Sequence, residues 1–179
     1  MARADAELER RVRRAYERAR WIRAALAAWP LVVLAFVCTS AGVGWSRVLP
    51  IAITSGVLAI VCLHHGREHA RAVLTGWLAG SLPMIAALVA CRIPHACMHG
   101  TCYAWCMPAC MLAGGIAGIF VMRRALRRDH GRMQHALVGA AIATLTGAMG
   151  CTALGIGGTL GMLAGLALGS APALVLARR

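Results

Sequence analysis

Six apolar stretches, at about 25–44, 48–63, 72–91, 103–122, 135–153 and 159–177, contain no Asp, Glu, Lys or Arg. A helix needs about 20 apolar residues to cross the hydrocarbon core of a bilayer. Inside lipid every backbone polar group must be satisfied within the segment, so such runs are expected to be helices. The sequence therefore predicts an all-α, polytopic membrane protein with six transmembrane helices. The second stretch is short and is expected to borrow its flanks, including His64 and His65. Only a Gly-rich segment separates the fifth and sixth stretches, so a re-entrant pair is an alternative there.

Composition agrees with that class. Of 179 residues, 60% are hydrophobic and 14% charged, too little charge to cover a soluble domain of this size. Lys and Asn are absent while Ala, Gly and Arg abound, a bias expected of a GC-rich bacterial genome. The formal net charge of +13 is carried by 19 Arg. They lie between the apolar stretches, so they act as topology signals and direct nucleic-acid binding is not expected. The N-terminal tail holds eight, the 64–71 loop two, the 123–132 loop five and the C-terminus two. Only Arg47 and Arg92 fall on the other side. The positive-inside rule then places both termini in the cytoplasm, and with the compositional bias the membrane expected is a bacterial inner membrane. Trp29, Trp45, Tyr103 and Trp105 suit the aromatic belts, and Pro50 suits the first turn of the second span.

Two regions follow: a cytoplasmic Arg-rich helix over 1–23 and a six-helix transmembrane domain over 24–179. Leu8, Val12, Ala15, Ala19 and Ile22 form a narrow stripe along the short amphipathic N-terminal helix. Glu7–Arg11 and Glu9–Arg13 stand at i,i+4 with the acid first, the favourable order. Leu8, Val12, Arg13 and Tyr16 are the residues expected to meet a cytoplasmic partner. Resting on anionic lipid is the competing role for this helix.

Small residues mark the later helices. Gly157, Gly161, Gly165 and Gly169 recur every four residues, as do Gly114 and Gly118, and Gly139, Ala143 and Gly147. Such faces let helix backbones approach closely where lipid supplies no hydrophobic drive to associate. Packing among the last three helices is expected, with a homo-oligomer seam or a pore lining as alternatives. The pore has little support without an intramembrane charge.

The chemistry concentrates in Cys91, His95, Cys97, His99, Cys102, Cys106 and Cys110, placed by the topology on the outer side, with Cys151 and Cys38 near. Thiolate, thioether and imidazole suit soft or borderline ions such as Cu(I) and Zn. No carboxylate lies in the cluster. Pro108 is expected to start the fourth span near Met107 or to kink it. Outer cysteines are equally open to being structural disulfides, since the spacings are CxxxxC and CxxxC rather than CxxC. His64, His65, His69, His130 and His135 are expected to be interfacial polar residues. No hydrolytic or thiol-oxidoreductase constellation stands out, so an enzyme is not expected, and no cofactor beyond a soft metal ion is implied.

A short cytoplasmic segment ahead of six spans resembles bacterial six-span anti-sigma proteins of extracytoplasmic-function sigma factors. So does the run from Pro108 to Cys151, with Arg123, Arg124, Arg127 and Arg128 before Gly139, Gly147, Gly150 and Cys151. The resemblance implies a sigma factor held by the tail and released on oxidative or metal stress, with Cys151 among the sensors. This chain departs from that pattern in having many more outer cysteines. A thiol- or metal-responsive regulator is therefore expected, and a soft-metal carrier is the alternative.

Overall fold

The computed structural model describes residues 2–65, 67–92, 102–128, 131–152 and 155–177. Seven helices account for nearly all of them: α1 (Ala2–Ala27), α2 (Trp29–Ser40), α3 (Trp45–His65), α4 (Arg67–Arg92), α5 (Cys102–Leu126), α6 (Arg132–Cys151) and α7 (Ile156–Ala177). Four segments are long and apolar enough to cross a membrane: Glu9–Ser40, Trp45–His65, His69–Ala90 and Met107–Leu126. A shorter apolar stretch covers Ile156–Pro172 in α7. The chain has the build of a membrane protein and its apolar helices suit a lipid bilayer. The 20 residues of α6 and the 22 of α7 correspond to about 30 Å or more of helix.

The first apolar stretch is not one clean helix. It divides at Ala28, where α2 begins with Pro30 in its first turn, a place where the missing N–H is no loss. Helix α2 stops at Ser40 because Gly42 takes φ +95°. The Val43 amide reaches the Cys38 carbonyl at 3.2 Å and the Gly42 amide reaches Thr39 at 3.0 Å. This is a Schellman ending, and buried Cys38 and Val43 share its apolar contact.

Pro50 falls deeper in its helix than the sequence predicts. Helix α3 starts at Trp45, so Pro50 lies inside it rather than in the first turn. Helix α5 starts at Cys102, close to the start of the fourth apolar stretch, and continues through Pro108, so of the two expectations there the start near Met107 is the one not found. In both cases one carbonyl loses its amide partner, a loss that apolar bundles tolerate. In α1, Glu7 pairs with Arg11 at 2.8 Å, but Arg13 pairs with Glu17 at 3.3 Å rather than with Glu9. Arg13 has an acid one turn away on either side, and both arrangements are exposed and nearly equivalent.

The helices dock as two parallel pairs, α4 with α6 and α5 with α7. A Cβ added at Gly76 would meet the Gly139 carbonyl at 2.7 Å, and one at Gly80 the Ala143 carbonyl at 2.6 Å. On the other pair, Gly114 and Gly118 lie against the Met162 and Leu166 carbonyls. Gly161, Gly165 and Gly169 face the carbonyls of Met107, Met111 and Gly115 in return. Both series advance in step, so α7 runs alongside α5 in the same direction. Contacts between α4 and α5 join the two pairs, and α6 also packs on α3. Helix α1 attaches chiefly through α3, and α2 through α3 and α6.

Candidate functional site: a buried thiol pair at a four-helix junction

The last turn of α6 is built to sink into its neighbours. Gly150 faces Met84, whose Cα a Cβ there would meet at 2.8 Å. Gly147 faces Pro83 and the Met162 sulfur. With no side chain at those two positions, Cys151 arrives between α4, α5 and α7. From α5, Cys110 stands one turn before Gly114, the residue that lies on the Met162 backbone. The same close approach that joins α5 to α7 therefore delivers Cys110 to Cys151.

The two sulfurs are 3.5 Å apart and both side chains are fully buried. Disulfide sulfurs stand about 2.05 Å apart, so these are free thiols in contact, and Cys110 and Cys151 are free cysteines. The Cys151 sulfur also lies 3.8 Å from the Pro83 carbonyl and 3.9 Å from Met162 Sδ. Cys151 has a single proton for these acceptors. A consistent arrangement has Cys110 donating to Cys151 while Cys151 donates to Pro83 or Met162. Immediately beyond, the Arg47 guanidinium donates to the Thr152 carbonyl at 3.5 Å, tying the start of α3 to the end of α6.

Two thiols and a thioether form a soft donor set, better matched to Cu(I) than to four-coordinate Zn. Among the described residues no group of three or more His, Cys, Asp or Glu could hold a metal ion. His95, Cys97 and His99 lie outside the described residues, and of Cys91, Cys102 and Cys106 the backbone alone is described, in α4 and α5. Cys38 is buried with the α3–α4–α6 core and Cys62 is also buried.

Met162 and Pro83 are the members of the junction that sequence reasoning missed. The one available signal was a Met set among small residues between Gly161 and Gly165. His135, in the first turn of α6, is 6% exposed, and its Nε2 has no hydrogen-bond partner. Gly139, one turn on, lets α6 lie close against α4, which carries His135 inward with it. His64 stacks on Trp21 with ring centroids 4.4 Å apart, and His65 Nδ1 donates to the Val61 carbonyl at 2.8 Å.

On α1 Val12 and Tyr16 are exposed, at 61% and 67%. Arg13 is occupied with Glu17, and Leu8 is described only as part of the α1 backbone. Compared with protein-family models, curated proteins and solved structures, the chain matches none.

Proposed function

We propose that the chain is a thiol-responsive regulator of the bacterial inner membrane. Six spans place both termini in the cytoplasm, and the N-terminal helix holds a cytoplasmic partner, an extracytoplasmic-function sigma factor in the anti-sigma manner. The observation that carries this reading is the contact between the Cys110 and Cys151 thiols, at 3.5 Å. Placing α6 and α7 as spans is supported by their parallel alignment with α4 and α5. Less hydropathy suffices for α6 because its neighbours bury much of it.

Bridging would take two electrons and two protons from the thiols, accepted by a two-electron oxidant such as hydrogen peroxide, which leaves as water. The sulfurs must close by about 1.5 Å to reach bonding distance. That draws α5 towards the end of α6, where Arg47 grips Thr152. The displacement would pass through α3 to the tail, which rests on His64 through Trp21. A soft ion held by Cys110, Cys151 and Met162 would pull the same elements together.

The test uses the full chain in mild detergent with an extracytoplasmic-function sigma factor from its own genome. Peptide mapping after diamide treatment is expected to show a Cys110–Cys151 bridge that dithiothreitol reverses, with sigma-factor capture lost on bridging. Cys151→Ser should keep capture and lose the response, and deletion of residues 1–20 should abolish capture altogether. Capture that ignores both bridging and the deletion would sink the regulator. Cu(I) flux into proteoliposomes that survives the deletion would favour the carrier instead.

A further inference from the structure

At the opposite end of the bundle from the thiol pair, α4 and α5 enclose a groove of about 320 Å³ lined by Arg71, Leu74, Thr75, Leu78, Phe120, Arg124 and Arg128. Helix α4 begins at this end and α5 ends there, so their arginines meet. Arg71, Leu74 and Leu78 follow one face of α4, while Phe120, Arg124 and Arg128 repeat every four residues along α5 and just past its end. The three arginines thus line one groove together with the apolar side chains of both helices. Arg124 lies over the Phe120 ring, its Cζ 5.5 Å from the ring centroid, which keeps its charge beside the groove. The segments 64–71 and 123–132 together hold seven Arg against the two acids Glu68 and Asp129, so this end is strongly cationic.

We infer that this groove is a binding site for one anionic phospholipid, its phosphodiester headgroup on Arg71, Arg124 and Arg128 and an acyl chain along α4. Charge complementarity selects the headgroup, since basic pockets between helices at a membrane surface hold anionic lipid heads. The wall selects a lipid over a soluble acidic segment. Leu74 and Leu78 are 56% and 54% exposed, and Leu82, Ile85 and Val89 continue the same exposed row along α4. An acyl chain attached to a headgroup at the arginines would run along that row, a surface that an acidic peptide would not use. Topology signalling accounts for arginines at this end, and the α5 dipole favours Arg124, but neither requires arginines of two helices to line one groove with an apolar wall. The inference rests on the membrane setting and not on the thiol pair or a protein partner.

Native mass spectrometry of the full chain in mild detergent tests it, with dioleoyl phosphatidylglycerol as the probe and dioleoyl phosphatidylcholine as the neutral comparison. One phosphatidylglycerol should be retained in preference to phosphatidylcholine. The triple substitution Arg71→Gln, Arg124→Gln and Arg128→Gln should weaken its retention at least about tenfold, since each arginine near such a surface contributes up to about fivefold. Removing the same charge by Arg14→Gln, Arg123→Gln and Arg127→Gln should change it less than about twofold. Arg124→Gln alone should weaken it about threefold, which keeps the question answerable if the triple variant does not fold. Equal losses in both triple variants would mean diffuse surface charge and overturn the site. Displacement of the lipid by millimolar glycerol 3-phosphate would mean a free-phosphate site and overturn the lipid. An acidic peptide that displaces the phosphatidylglycerol would overturn it too, in favour of a protein ligand.

Discussion

The α4–α7 half and the α1–α3 half of this molecule are held together by different means. In the candidate span His69–Ala90 of α4, 56% is buried, against 22% for Trp45–His65 in α3 and 24% for Glu9–Ser40 across α1 and α2. Around α4–α7 the contacts are backbone to backbone, through Gly76, Gly80, Gly114, Gly118, Gly165 and Gly169. In α3, by contrast, a Cβ at Gly56 would meet nothing within 4 Å. Lipid tails are as apolar as Leu, so apolar side chains alone give little reason for helices to associate in a membrane. Close approach and dispersion must supply it, and these are concentrated in the later half. The early half is joined on more lightly.

The sharpest way to break this contrast is to fill a glycine in each half. Gly165→Leu places a side chain against the Met111 carbonyl, where even a Cβ has no room. Overpacking typically costs about 1–3 kcal/mol and more where backbone must move, so a loss of at least about 3 kcal/mol is expected. Gly56→Leu should stay within about 0.5 kcal/mol of the parent, as a surface change does. Reversible unfolding in mixed detergent micelles measures both. Equal effects would show that the halves are packed alike.

Next in size is a truncation at the centre. Ile142 is fully buried in the cluster where α6 meets α3 and α4. Ile142→Ala should cost about 2–5 kcal/mol. Ile53→Ala, at a position 56% exposed on α3, should cost less than about 0.5 kcal/mol in the same unfolding assay. A large loss at Ile53 would mean that another chain or copy covers that face.

Which of these features the sequence displays follows from whether each is local. The charge-free stretches fall on α2 to α7 because lipid solubility is a property of consecutive residues. The Gly repeat of α7 is visible in the sequence and points to packing among the last three helices, but not to α5 rather than α6 as its main partner, nor to the matching role of Gly76 and Gly80 on α4. Pairing is a tertiary fact, set by which carbonyls happen to face the small residues. The same holds for the thiols. Cys110 and Cys151 were both candidates from topology, yet what brings them into contact is the pair Gly147 and Gly150, together with Pro83 and Met162 on two other helices. Proline misled at Pro50 because its usual meaning as a helix start weakens inside an apolar bundle, where a helix continues past it.

The smallest expected effect sharpens the comparison most, because it concerns the joint between tail and bundle. Trp21 stacks on His64 at an interplanar angle of 26°, and α1 otherwise touches little besides α3. An aromatic pair of this kind contributes about 0.5–1.5 kcal/mol, so Trp21→Ala should leave global unfolding nearly unchanged. Locally the consequence is larger, since about 1 kcal/mol is a fivefold change in the fraction of tails undocked. Limited trypsin cleavage after the arginines of α1 should therefore quicken about fivefold, while cleavage within the 123–132 segment stays at its parent rate. Cleavage of both at one common, raised rate would mean that the tail is part of the same cooperative unit as α4–α7. An unchanged rate at α1 would mean that contacts other than this stack hold the tail down, and that a displacement of α3 has no such lever on it.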